Sequence, residues 1–255
     1  MLHKAGTLKG YKLGGLDGEA GKVEEFYFDD RFWAVRYLVA DTGEWLTGRQ
    51  VLIAPHVLGA VNTKEQAVAV NLTQEQIELS PALSRDEPVS RQYQESYYRY
   101  YGMPIYWGGR YMWGMQPFLL RDSTKWEKES RESEEKWDPN LRSTRDVTGH
   151  HIEASDGDIG HVEDFIIDDE TWAIRYLVID TRNWWPGKHV LISPKWIERI
   201  SWDDQKVYVN VQLESIKQAP EYTEDSLPSR DYEAALHEHY HLQGYWRDEQ
   251  AGGKR

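Results

Sequence analysis

Trp33-Ala-Val-Arg-Tyr-Leu-Val-Ala-Asp-Thr42 and Trp172-Ala-Ile-Arg-Tyr-Leu-Val-Ile-Asp-Thr181 differ at two of ten positions and stand 139 residues apart. Both are rich in aromatic and β-branched residues, which fit a pleated, packed surface, so both read as strands. Moving outward, the offset of 139 never changes. Asp17-Gly-Glu-Ala-Gly-Lys-Val-Glu-Glu-Phe26 returns as Asp156-Gly-Asp-Ile-Gly-His-Val-Glu-Asp-Phe165. Val51-Leu-Ile-Ala-Pro55 returns as Val190-Leu-Ile-Ser-Pro194, Pro81 as Pro220, and Tyr106-Trp107 as Tyr245-Trp246. A register held without a gap over so long a stretch implies one compact unit present twice. A period this long is a tandem pair of domains and not a solenoid array.

Within each unit the apolar residues alternate in short runs divided by turn chemistry. Val23–Phe28 and Val162–Ile167 read as strands introduced by Gly-containing turns, and Asp29-Asp30 and Asp168-Asp169 form the next turn. Val51–Ile53 and Val190–Ile192 stop at proline, as a ladder end should. Ala67–Leu72 and Val207–Val211 supply a further strand. Many short strands with frequent turns predict a mainly β fold, two tandem small barrels. Each ends in a segment of helical period: Ser90 is placed to cap a helix closed by Gly102, with Tyr93, Tyr97 and Tyr100 on one stripe, and Ser229–Tyr240 is its counterpart. The expected division is a first unit over 1–107, a charged and aromatic linker over 108–145, a second unit over 146–246 and a disordered tail over 247–255.

The 255 residues carry a net charge of −13, which disfavours binding to phosphate backbones or anionic membranes. No cysteine is present, so disulfides, thiol chemistry and thiolate-bound zinc are excluded. No signal-peptide pattern opens the chain and no apolar stretch is long enough to span a bilayer, so a cytoplasmic protein is expected. Neither G-x-S-x-G nor a Gly-rich phosphate loop occurs, so neither nucleophilic catalysis nor nucleotide binding has a basis in sequence. A non-enzymatic protein without a cofactor is expected.

The D-x-x-G-x-V-E opening, the Y-L-V-x-D central strand, the V-L-I-x-P stretch and the closing proline, each present twice, resemble the PRC-barrel family. The resemblance covers roughly 7–82 and 146–221, and the segments trailing each unit resemble bacterial two-copy members. It implies a docking fold, like that of the cytoplasmic domain of the photosynthetic reaction-centre H subunit and the C-terminal domain of a ribosome-maturation factor. The preferred expectation is therefore an adaptor or assembly module with a protein partner, its two units imitating a homodimer or assembling further. A ribosomal or photosynthetic-complex role follows only from the fold analogy.

Four residue sets are candidates. Trp45, Trp184, Trp185, Tyr106, Trp107, Tyr245 and Trp246 belong to a pool of 12 tryptophans and 16 tyrosines, residue types that anchor interfaces. They either contact a partner or staple helix to barrel. Glu24 with Arg36, and Glu163 with Arg175, are expected as cross-strand charge pairs; the recurring aspartates 29, 30, 168 and 169 offer oxygens to a hard cation or simply close turns. Glu233, His237 and His241, spaced by four, would share one helix face and present a carboxylate and two imidazoles to a metal or to metal-dependent chemistry. The first unit has Gln94, Tyr98 and Gly102 there.

Overall fold

The computed structural model describes residues 1–43, 46, 49–81, 89, 91–103, 140–181, 188–223 and 227–246. Fourteen strands occur among them. The first eight are β1 (Leu2–Lys4), β2 (Lys12–Gly14), β3 (Glu19–Asp29), β4 (Ala34–Asp41), β5 (Gln50–Ile53), β6 (Leu58–Asn62), β7 (Ala67–Val70) and β8 (Leu141–Ser143). The other six are β9 (His151–Ala154), β10 (Gly157–Asp168), β11 (Ile174–Asp180), β12 (His189–Ile192), β13 (Ile197–Ser201) and β14 (Lys206–Val209). They form two seven-stranded sheets, ordered β5-β4-β3-β2-β7-β6 and β12-β11-β10-β9-β14-β13, each with one additional strand off that path. The protein is thus mainly β, with matching strand order at an offset of 139.

The additional strands alter the expected division. β8 pairs with β3 and β1 pairs with β10, both antiparallel. Leu2–Lys4 and Leu141–Ser143 are counterparts at the offset of 139, so each sheet takes its seventh strand from the chain preceding the other sheet's own strands. The compact units are accordingly Leu8–Ser143, and Met1–Thr7 with Thr144–Arg255. Residues 1–7, assigned from sequence to the first unit, pack with the second. Residues 141–143, assigned to the linker, complete the first.

The long strands β3 and β10 make this possible. The first half of β3 pairs with β2 and its last three residues with β8, while β4 occupies its other edge. Register shifts between Val23 and Glu25 and between Tyr27 and Phe28 mark bulges; β10 has them at the counterparts, Val162/Asp164 and Ile166/Ile167. Bulges raise local twist and bend a strand, allowing one strand to serve successive partners. β4 and β11 are buried along nearly their whole length, which explains their unbroken apolar runs.

The tail helices run over Arg91–Tyr101 and Arg230–His239. Ser229 caps the second, its Oγ accepting from Tyr232 N at 3.2 Å, and Gly102 follows the first with φ +64. The buried face differs from the expected stripe. Tyr97 and Tyr98 are fully buried against Tyr37, Val39, Leu52 and Ala54, with Tyr93 and Tyr101 partly buried beside them, whereas Tyr100 is exposed. Positions 97 and 101 lie four apart, nearly one turn, so this stripe follows the helical period more closely than one ending at 100. Burying each such ring stabilises by roughly 2 kcal/mol. Tyr97 also accepts a hydrogen bond from Ala54 N at 2.8 Å, so helix and sheet are joined by polar contacts as well.

Candidate functional site

The charge pairs form, but with other partners. Arg36 Nη2 donates to Asp29 Oδ2 at 3.3 Å, and Arg175 donates to Asp168 Oδ2 from Nε at 3.1 Å and Nη2 at 2.6 Å. Glu24 lies near Val39–Ala40 in the ladder, about four residues and roughly 13 Å from Arg36, too far to pair. Glu163 likewise stands beside Val178–Ile179, away from Arg175. Asp29 also accepts from the turn amides Arg31 N (2.9 Å) and Phe32 N (3.3 Å); Asp168 accepts from Glu170 N (3.1 Å) and Thr171 Oγ1 (3.0 Å). Burial alone would raise the Asp168 pKa, but Arg175 and these donors outweigh it and hold the carboxyl below the usual carboxylate range.

The neighbouring aspartates fasten the exchanged strands. Asp30 Oδ2 accepts from Arg142 Nε at 3.0 Å, while Asp169 meets His3 Nε2 at 2.8 Å and the Met1 ammonium group. The four aspartates considered for a hard cation are thus committed to turns, guanidinium groups and strand anchoring.

Glu233 and His237 do come together, around Tyr176. The Tyr176 hydroxyl donates to Glu233 Oε1 at 3.0 Å and lies 3.1 Å from His237 Nε2. Tyr245 donates to the same Glu233 oxygen at 2.8 Å, and Arg230 Nη1 lies 3.1 Å from Oε2. Burial raises the Glu233 pKa, against the pull of Tyr245, Tyr176 and Arg230. Burial, with the charge of Lys195, lowers that of His237. His241 does not join them: the helix ends at His239, and His241 is exposed beyond it with φ +54. The three-residue metal face is therefore not assembled, because a spacing of four places residues together only where the helix continues. In the first unit Tyr37 donates to Gln94 Oε1 at 3.2 Å, the same helix-to-sheet contact in neutral form.

Of the aromatic candidates, Trp45, Tyr106, Trp107, Trp184 and Trp185 lie outside the described residues. Tyr245 is buried, with the Arg175 guanidinium 3.9 Å from its ring centroid. Trp246 is partly buried, 5.1 Å from the His237 ring and 4.6 Å from the Arg230 guanidinium. Tyr245 thus joins the helix to the sheet, while Trp246 packs on the helix itself.

A cluster not anticipated from sequence lies on three adjacent strands. In the ladder Asp180 of β11 stands opposite His161 of β10 and His189 of β12. Glu163 follows two residues after His161, on the same face, and its Oε2 lies 2.8 Å from His189 Nε2. His161 Nε2 lies 3.8 Å from Asp180 Oδ2. Ligand atoms of Glu163, Asp180 and His189 all fall within 4.8 Å of one another. The backbone here is tight: Gly160 has φ +148, and a Cβ on it would collide with the Asp180 carbonyl oxygen. Gly21 has φ +121 and meets Asp41 in the same way. The first unit has an open cleft at this place, lined by Glu19, Gly21, Lys22, Asp41, Thr42, Gly43 and Gln74. The available signal was the pair His161 and His189 where the first unit has Lys22 and Gln50, but joining them needs the β11–β12 register.

Among the described residues no helix is long and apolar enough to cross a membrane. No curated protein matches the chain. A PRC-barrel domain is found at residues 146–214, the span that carries β9 to β14.

Proposed function

We propose that the protein is a non-catalytic adaptor built from a duplicated PRC-type unit, and that the first copy carries its partner-binding surface. One observation carries this reading. Among the described residues, the first unit exposes the large apolar side chains Leu16 (66%), Phe32 (49%), Leu79 (64%) and Tyr100 (40%), and the second exposes Met1, Leu227 and Leu242 at other positions. The counterparts of the first unit's four at the constant offset are Ser155, Thr171, Gln218 and His239, all polar. The apolar strands of the core are largely shared, so an apolar-to-polar difference at these exposed positions points to different tasks outside the core. Leu16, Leu79 and Tyr100 all border the short helix Gln74–Glu78. Leu16 N donates to Leu72 O just before that helix, Leu79 caps its end, and the Tyr100 hydroxyl donates to Gln76 O. Apolar and aromatic side chains grouped on a surface are the usual anchors of protein interfaces.

The candidate chemical groups of the second unit support the same reading, since Glu233, Tyr176 and Tyr245 bond to one another and hold a helix on its sheet. The test is quantitative capture from the native cell extract with the full chain as bait. A stoichiometric protein partner is expected for the natural chain, and its loss is expected in Leu16→Ser/Leu79→Gln, which installs the second copy's residues. A natural chain that recovers no stoichiometric partner, or a double variant that recovers it undiminished, overturns the proposal.

A further inference from the structure

We infer that His161, Glu163, Asp180 and His189 form a binding site for one divalent transition-metal ion of the Zn²⁺/Co²⁺ type, present in the second unit only. This goes beyond the adaptor reading and stands independently of it. One imidazole and two carboxylates, those of His189, Glu163 and Asp180, converge within 4.8 Å. The His161 imidazole stands 3.8 Å from Asp180 at their edge. All four come from three neighbouring strands and not from a flexible loop. An ion bound at about 2.0–2.2 Å from each donor needs donor atoms roughly 3–4 Å apart. The observed separations of 2.8 Å for Glu163–His189 and 3.8 Å for His161–Asp180 bracket that requirement. Mixed imidazole and carboxylate donors suit Zn²⁺, Co²⁺ or Ni²⁺ better than Ca²⁺ or Mg²⁺, which favour oxygen alone.

Burial grades the site from floor to mouth. The Asp180 side chain is 1% exposed, His189 16%, Glu163 31% and His161 38%. A buried carboxylate at the floor supplies charge, and a half-exposed histidine leaves a route of entry. The adjacent Lys188 places its ammonium group on the carbonyls of Lys217 at 2.6 Å and Ala219 at 3.1 Å. Arg49 makes the corresponding contacts to Glu78 and Ser80 in the first unit, so this lysine has a shared structural task. The first unit keeps both carboxylates, Glu24 and Asp41, but has Lys22 and Gln50 in place of the histidines. The copies therefore differ in the two residues that convert an acidic pair into a transition-metal site.

The test uses the full chain without a histidine tag, stripped with a chelator and titrated with Zn²⁺ by calorimetry and with Co²⁺ by visible absorption. One equivalent is expected to bind, with a Co²⁺ d–d band. His189→Gln and His161→Lys install the first unit's residues, and each is expected to weaken binding by at least the roughly 10–100-fold that loss of a supporting group costs a metal site. His161 is exposed enough for its variant to fold, and circular dichroism with thermal melting verifies this for both. His237→Gln is expected to leave affinity unchanged. Absence of a stoichiometric site in the natural chain overturns the inference. So does binding unaffected in both well-folded variants, or binding lost in His237→Gln and retained in His189→Gln.

Discussion

His3 Nε2 lies 2.8 Å from Asp169 Oδ2 across 166 residues of sequence. Arg142 and Asp30, the pair's counterparts, stand 3.0 Å apart. The backbone repeats the relationship, with Asp169 N donating to Met1 O and Asp30 N to Asn140 O, both at 2.9 Å. Each exchanged strand is thus pinned at its first residues by the turn after the long strand. Asp169→Ala is expected to destabilise the unit containing β10 by about 1–2 kcal/mol, the range for a charge-assisted hydrogen bond with some solvent access. Hydrogen exchange read by mass spectrometry should accelerate at β1 and β10 and stay unchanged at β3 and β4. Asp30→Ala should produce the reverse pattern, with β8 and β3 affected.

The Arg175–Asp168 pair gives a stability contribution with a defined pH dependence. Arg175→Met removes the guanidinium and leaves a largely buried carboxylate without its strongest partner. Loss of one member of a fully buried pair costs about 3–5 kcal/mol, reduced to about 2–3 here because Asp168 retains contact with solvent. The folded Asp168 pKa lies below its ordinary value of 3.8, so folding favours the charged form. The stabilisation is complete above that ordinary value and is lost as pH falls through the folded value. Urea denaturation at pH 7 should show the full difference between natural chain and variant, and the two should converge as pH falls through the lowered folded value.

Much of the sheet architecture was legible because its signals are local. Alternation and β-branched content gave the central strands, and Pro55, Pro194 and Gly102 gave element ends. The exchanged strands were missed because three residues, Leu2–Lys4 or Leu141–Ser143, carry no periodicity of their own. Their pairing is between segments more than a hundred residues apart, which no local pattern encodes. The same offset that matched the Trp33 and Trp172 stretches does align Leu2 with Leu141, but a shared offset does not say which sheet either short strand joins. The site was legible in part. Spacing brought Glu233 and His237 to one helix face, but the helix end at His239 removed His241. Arg36 and Arg175 were recognised as paired, whereas the choice of Asp29 and Asp168 depends on bulges in β3 and β10. The Glu163–Asp180–His189 cluster depends on three strands in one register, a tertiary fact.

Two backbone positions should respond to substitution with opposite sign. Gly160→Ala places a methyl group on the Asp180 carbonyl oxygen in a conformation that side chains rarely adopt. A loss of about 3 kcal/mol or more is expected, in the range reached by strain combined with a backbone clash. Gln205 has φ +53 and Gln66 φ +50, again counterparts, and each is exposed. Their carbonyls accept from His151 N and Lys12 N, so the conformation is used and the side chain is not. Gln205→Gly is expected to raise stability by about 0.5–1 kcal/mol, because glycine takes the left-handed region without the penalty other residues incur. Thermal melts of the two single variants beside the natural chain test both signs.

Glu233 and His237 touch the same tyrosine, yet they load stability with opposite pH slopes. The folded His237 pKa lies below 6.5, so on acidification the unfolded chain takes up a proton that the folded chain refuses. Its contribution is intact above about pH 7 and falls as pH drops through 6.5 toward the folded value. His237→Gln should therefore flatten the stability profile between about pH 7 and pH 5. The folded Glu233 pKa lies above 4.5, so the charged form is disfavoured by folding and costs stability near neutrality. Glu233→Gln installs the first unit's residue and keeps one acceptor oxygen, which Tyr176 and Tyr245 can share as they share Glu233 Oε1, at the expense of the Arg230 pair. It should be neutral or stabilising by up to about 1 kcal/mol at pH 7, since an exposed arginine's ion pair contributes little. That advantage should shrink as pH falls through the raised folded value and vanish only below 4.5, where the natural carboxyl is protonated in both states. Denaturation midpoints for the two variants across pH 4–8 separate the contributions, and equal slopes in both would show that neither group titrates as its surroundings require.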